Sequence, residues 1–119
     1  MRDPGVYVDD MIGACERVIA FSRGVSDTDL MDESKPLRGA ILHQLMILGE
    51  AAKHVPDDWV RRYPDVPWAR IAGMRNVVPH YYFGIEDEVV LETVRLHVPV
   101  VLPQLRDMLA RIDQTHPQP

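Results

Sequence analysis

Apolar residues recur every three or four positions through most of the chain, and that spacing is what most restricts its fold. Val8, Met11, Ile12, Cys15, Val18, Ile19 and Ser22 form one series, and Leu37, Ile41, Leu45, Leu48 and Ala52 a second. A third runs through Val90, Val94, Val98, Val101, Leu105, Met108, Leu109 and Ile112, while Trp68, Ile71, Met74 and Val78 make a shorter one. Each places its apolar side chains on one face of a helix. No stretch alternates convincingly with the period of two that a half-buried strand needs. Four amphipathic helices with short connections predict an all-α, up-and-down four-helix bundle with short extra helices.

Caps and breakers set the expected boundaries. Asp3-Pro4 supplies an N-cap and a first-turn proline, and Gly24 is placed to end the first helix after about Arg23. Ser26-Asp27-Thr28-Asp29 carries turn chemistry and can open a short helical connection. Ser34 is the expected cap of the second helix, which should reach about Val55, before Pro56-Asp57-Asp58 starts a short helix through Tyr63. Gly73 in the third helix costs up to about 1 kcal/mol against alanine, which predicts a closely packed neighbour. Pro79 biases Val78 away from helix, so the helix from Trp68 should end or kink near Val77. Phe83-Gly84-Ile85 reads as a turn, and Glu86, Asp87 and Glu88 suit the first turn of the last helix. Pro99 and Pro103 should bend or split that helix near His97. Residues 114–119 have no apolar period and read as a frayed tail, leaving a single domain over 1–113.

At 119 residues the chain can bury roughly two thirds of its unfolded surface in one core. Its one cysteine, Cys15, forms no internal disulfide. The absence of a leading apolar run with a basic flank, and of any apolar stretch near the roughly 20 residues of a membrane span, leads us to expect a soluble cytoplasmic protein. The net charge of −5, from 13 basic and 18 acidic residues, argues against a general nucleic-acid coat protein, whose affinity rests on many phosphate contacts. Any contact with nucleic acid must be local or supplied by an assembly.

The densest polar and aromatic run lies between Pro67 and Tyr82 and holds Arg75, Asn76, His80, Tyr81 and Tyr82. On a straight helix Arg75 and His80 would point roughly 140° apart, but a break at Pro79 can bring guanidinium and imidazole onto one concave surface. Tyr82, seven residues from Arg75, would lie nearly in line with it. One chemistry that these residue types permit is metal-free cleavage of a phosphodiester such as that of RNA, which needs a base for the 2′-hydroxyl proton, an acid for the departing 5′ oxygen and positive charge at the phosphate. His80, with an ordinary pKa of about 6.5, can serve either proton role. Arg75 can meet phosphate oxygens with its planar fork. Tyr81 and Tyr82 can stack bases of single-stranded RNA, and Asn76 can orient imidazole or phosphate. Glu50 and His54 share a helical face four residues apart, but two ligands fall short of a metal site. Neither metal nor cofactor is expected. Glu50 is better placed as support for the fold or the site's rim, and His43 and His97 as residues of partly buried faces.

The run Arg75-Asn76-Val77-Val78-Pro79-His80-Tyr81-Tyr82 resembles the Arg-x4-His-x-Tyr signature of the HepT-like branch of the HEPN ribonucleases. Leu48-Gly49-Glu50-Ala51-Ala52, Tyr63-Pro64, Pro67-Trp68, Ile71-Ala72-Gly73-Met74 and Tyr82-Phe83-Gly84-Ile85 extend the similarity over most of the chain. Pro79 departs from the pattern, which has a small or aliphatic residue before the histidine. The resemblance implies a HEPN-like helical fold and the toxin of a type VII toxin–antitoxin pair. It further implies a metal-independent endoribonuclease with Arg75 and His80 as catalytic residues, working as a homodimer whose two motifs face one cleft. It also implies a partner, a nucleotidyltransferase antitoxin of the MNT type that adds AMP to Tyr82.

Residue types alone leave other readings open. Arg75 can be a surface ion-pair partner of Glu50 or Asp87, His80 a structural histidine at a bend, and the aromatics core or interface residues. The alternatives are a catalytically inactive HEPN module that partners a nucleotidyltransferase, and a purely structural helical dimer.

Overall fold

The computed structural model describes residues 3–76 and 87–115, and only the backbone of Asn76 and of residues 113–115. Every regular element among them is helical: α1 (Pro4–Ser22), α2 (Asp27–Leu30), α3 (Pro36–Lys53), α4 (Asp57–Arg62), α5 (Trp68–Gly73) with a 3₁₀ turn (Met74–Asn76), α6 (Asp87–Glu92), a π-helical turn (Thr93–His97) and α7 (Val98–Thr115). The all-α expectation holds. Of the four expected helices three are long, and the one that begins at Trp68 gives way to the tighter 3₁₀ turn after six residues.

The Asp3 carboxylate accepts the Gly5 N–H at 2.8 Å at the start of α1, and Gly24 takes a φ of 73° just beyond its end, a conformation that a side chain resists. Ser26 caps α2. Ser34 does not cap α3: its N–H and hydroxyl both donate to Asp32 Oδ1, at 2.9 and 2.7 Å, and hold that carboxyl below its ordinary pKa. With Ser34 committed to that turn, α3 starts instead at Pro36, whose ring fixes the first helical φ. Asp87 and Glu88 do open the last helical run. Pro99 cannot donate to a carbonyl one turn back, and the helix answers with the π turn, in which Val98 N–H reaches Thr93 O five residues earlier. The interruption therefore ends on His97, where the prolines predicted it. The helix includes Gln114 and Thr115; residues 116–119 of the expected tail lie outside the described residues.

α1 packs against both α3 and α7, and Met11, Ile41, Leu45, Leu105 and Met108 are completely buried between them. Each contributes about 1.5–3 kcal/mol relative to exposure. Cys15 lies in the same core, where burial chiefly, with some help from Glu16, pushes its thiol up to about 12. Arg17 Nε donates to Gln44 Oε1 at 2.7 Å and ties α1 to α3. Arg95, on the π turn, ends α1 from across the molecule: its Nη1 donates to Ser22 O at 2.9 Å, its Nη2 to Val25 O, and its Nε to Asp27 Oδ1 at 3.1 Å. No helix of the described residues is long and apolar enough to cross a membrane.

Arg95→Ala removes the arginine donor from Val25 O and one of the two donors to Ser22 O, which keeps the Val25 N–H, and should lower unfolding free energy by about 1.5–3 kcal/mol, the net contribution of a hydrogen bond to a charged group; urea denaturation measures it. The Cys15 thiol should react with a disulfide reagent at the rate of global unfolding at neutral pH, and immediately once denatured.

Candidate active site

The site is built where α3 meets the turn after α5, and Gly49 makes the meeting possible. A Cβ on Gly49 would stand 2.5 Å from Arg75 N, 2.9 Å from Ile71 O and 3.1 Å from the Met74 carbonyl carbon. Only glycine lets the two backbones approach this closely. Sequence reasoning assigned close packing to Gly73 instead, but Gly73 is exposed, with nothing within 4 Å of its Cβ position. Ile71 and Met74 bury their side chains beside this contact, and Trp68, partly buried, donates its Nε1–H to Tyr63 O at 2.9 Å.

The approach sets Arg75 beside Glu50, the residue after the glycine, with Nε and Oε2 3.5 Å apart. The other carboxylate oxygen lies 3.4 Å from His54 Nε2, one turn further along α3. Tyr7 of α1 stacks on the His54 ring, centroids 5.0 Å apart and planes at 21°. These four side chains, with Asp10, Met46, Ile47 and Ala51, line a cleft of about 580 Å³. Arg75 is 40% exposed and Glu50 52%, so their contact contributes only about 0.2–1 kcal/mol. The guanidinium can therefore exchange the carboxylate for a phosphate at small cost. A second cavity, of about 660 Å³, opens on another face of α1, but among the described residues Asp3, Asp9 and Asp58 line it against one cation, Arg62, a poor lining for an anion.

Of the predicted site residues, Arg75 and Glu50 come together. Asn76 continues the 3₁₀ turn in its backbone, and His80, Tyr81 and Tyr82 lie outside the described residues, as do Pro79 and the expected turn at 83–85. Asp87, the other predicted partner of Arg75, pairs instead with Arg38 at 2.5 Å, and Arg38 also meets Glu33 at 2.9 Å. The segment 77–86 is thus flanked by two anchors on α3, near Gly49 and at Arg38. Glu50 and His54 do meet, and among the described residues no third His, Cys, Asp or Glu forms a metal-holding group with them. His43 is exposed rather than on a partly buried face, because two residues of helix turn it about 200° from Ile41 and the buried stripe. His97 is partly buried, 3.3 Å from Glu92. The spacing of Glu50 and His54 was readable in the sequence; Tyr7, far away in the chain, gave no signal of joining them.

The family model described as "Ribonuclease HepT-like" matches residues 11–110. The chain belongs to the HepT-like ribonuclease family. It is 34% identical over 93 residues to a protein of Thermococcus cleftensis named a probable ribonuclease HepT, an alignment covering 78% of this chain and 84% of that protein. It is 32% identical over 111 residues to a protein provisionally named an RNase in Caldanaerobacter subterraneus, covering 93% of this chain and 98% of the relative. A Methanocaldococcus jannaschii protein with a similarly provisional RNase name is 30% identical over 100 residues, 84% of this chain and 91% of its own. No solved structure matches the chain. The matched part of this HepT-like chain takes in Gly49, Glu50, His54 and all of residues 75–82, whereas Tyr7 precedes it.

Gly49→Ala should lower stability by about 1–3 kcal/mol, because the added methyl meets backbone on three sides. Gly73→Ala, facing open space, should leave stability unchanged or raise it by up to about 1 kcal/mol. Parallel urea titrations of the two variants check the contrast.

Proposed function

We propose that this member of a ribonuclease family is a metal-independent endoribonuclease that cuts RNA with Arg75 and His80 and acts as the toxin of a toxin–antitoxin pair. The observation that carries the reading is the family match over residues 11–110, which spans the whole motif from Arg75 to Tyr82. A partly exposed guanidinium that lines a cleft, loosely held by a carboxylate, supports it. In the reaction a base takes the proton of the 2′-hydroxyl, whose oxygen attacks the phosphorus. The bond to the 5′ oxygen breaks as an acid protonates that oxygen, and the product is a 2′,3′-cyclic phosphate, which water can open to a 3′-phosphate. His80 of one protomer and His80 of a second copy share the two proton roles, so the working form is a homodimer. Arg75 holds charge on the crowded phosphate. Asn76 orients phosphate or imidazole, and Tyr81 and Tyr82 stack flanking bases.

The partner in this reading is a nucleotidyltransferase antitoxin of the MNT type that attaches AMP to Tyr82. Each AMP brings negative phosphate and bulk to a cleft that must admit RNA phosphate. Purified protein should cleave RNA in EDTA, and His80→Ala should slow cleavage by about 10²–10⁴. Expression of the wild type, but not of folded His80→Ala, should arrest growth. Loss of cleavage in chelator with recovery on adding metal contradicts the mechanism. Growth arrest that survives both Arg75→Ala and His80→Ala favours the inactive binding module. Mass spectrometry after co-expression with the antitoxin should place the added AMP on Tyr82.

A further inference from the structure

The cleft beside Arg75 is furnished beyond what a phosphate alone requires. Met46, Ile47 and Ala51 give it apolar lining. His54 gives it a ring whose one face is covered by Tyr7 while its side chain stays 52% exposed, so the accessible part is its edge and its other face. A volume of about 580 Å³ lies within the range of about 300–1,000 Å³ typical of small-molecule sites. Along this one surface run a planar cation, a carboxylate and an aromatic platform, in the order Arg75, Glu50, His54.

Resting on the ribonuclease reading above, we infer that this cleft is a base-recognition subsite: the nucleotide whose phosphate Arg75 holds stacks its base on His54 and turns its Watson–Crick edge to Glu50. The contacts of Glu50 to Arg75 and His54, at 3.5 and 3.4 Å, are long for charge-assisted hydrogen bonds. A phosphate on Arg75 satisfies the guanidinium and releases the carboxylate to the base. An ionised carboxylate only accepts, so it selects for N–H donors on the base. Guanine offers two parallel donors, N1–H and N2–H, that match the two carboxylate oxygens. Adenine and cytosine offer one amino group each. Uracil offers a single N3–H between two carbonyl oxygens, which the carboxylate repels. The subsite therefore ranks guanine first and uracil last in single-stranded RNA.

The test uses unstructured RNA oligonucleotides that differ only in the nucleotide on either side of one cut, varied in turn. Wild-type protein should favour guanine over uracil at one of these positions by at least about fivefold in kcat/KM, the lower end of what one bidentate pair discriminates. In Glu50→Gln, whose amide both donates and accepts, the ratio should fall toward one. His54→Ala should raise KM for every base. Direct titration of the wild type with 5′-GMP and 5′-UMP should show tighter GMP binding that Glu50→Gln abolishes, and matched urea midpoints establish that the variants are folded. Cleavage by the wild type with no base preference, or a preference unchanged in both variants, overturns the subsite and leaves the ribonuclease reading standing. A wild type that cuts nothing overturns the ribonuclease reading, and the GMP titration still decides the subsite: equal binding of GMP and UMP rejects it.

Discussion

A missing side chain organises this molecule. At Gly49 the backbone of α3 passes so near the backbone at Arg75 that any Cβ would overlap a peptide nitrogen and a carbonyl oxygen. Packing of this kind is intolerant, since backbone cannot step aside as a flexible side chain can. Its consequence is positional: the first residue of the motif is docked by main-chain contact, and its guanidinium falls next to the carboxylate that follows the glycine. The Arg75 guanidinium thus owes its place to van der Waals contact of the chain and hardly at all to its weak ion pair.

α3 serves as a platform along its length. Gly49 receives the chain entering the motif, and Arg38, buried at the other end of α3, holds Asp87 where the described chain resumes. Arg38 and Gly49 are eleven residues apart, or about 16 Å along the helix. A buried arginine with carboxylate partners is costly to disturb, because removing either side leaves charge poorly solvated. The two anchors differ in kind, steric at one end and electrostatic at the other, yet both belong to one helix. α1 completes the arrangement by covering α3 with its apolar face and lending Tyr7 to the cleft.

The chain carries a net charge of −5, and the described residues of its candidate site form no basic patch. Arg75, Glu50 and His54 lie in series along the cleft, and among the described residues that line it Arg75 supplies the one guanidinium. A surface of this kind gains little from nonspecific phosphate contact.

Much of this was legible in the chain itself. Apolar periodicity specified α1, α3 and the last helical run, Asp3, Ser26 and Pro56 marked starts, and Pro99 announced the irregularity that became the π turn, because all of these depend on neighbours within a few residues. The ordered residues around Arg75 carried the family likeness. Local reasoning failed where a partner distant in sequence decided the outcome. Gly73 looked like the close contact and Gly49 was, Ser34 turned to Asp32, and Asp87 chose Arg38 over Arg75. Periodicity states which face of a helix is apolar but not what will lie against it, so the stacking of Tyr7 on His54 and the nearness of Glu50 to Arg75 existed only once the helices had packed. The sequence by itself determined the helices and the chemistry available on them; the tertiary structure alone decided which of those groups share a cleft, because that depends on how closely two backbones can approach.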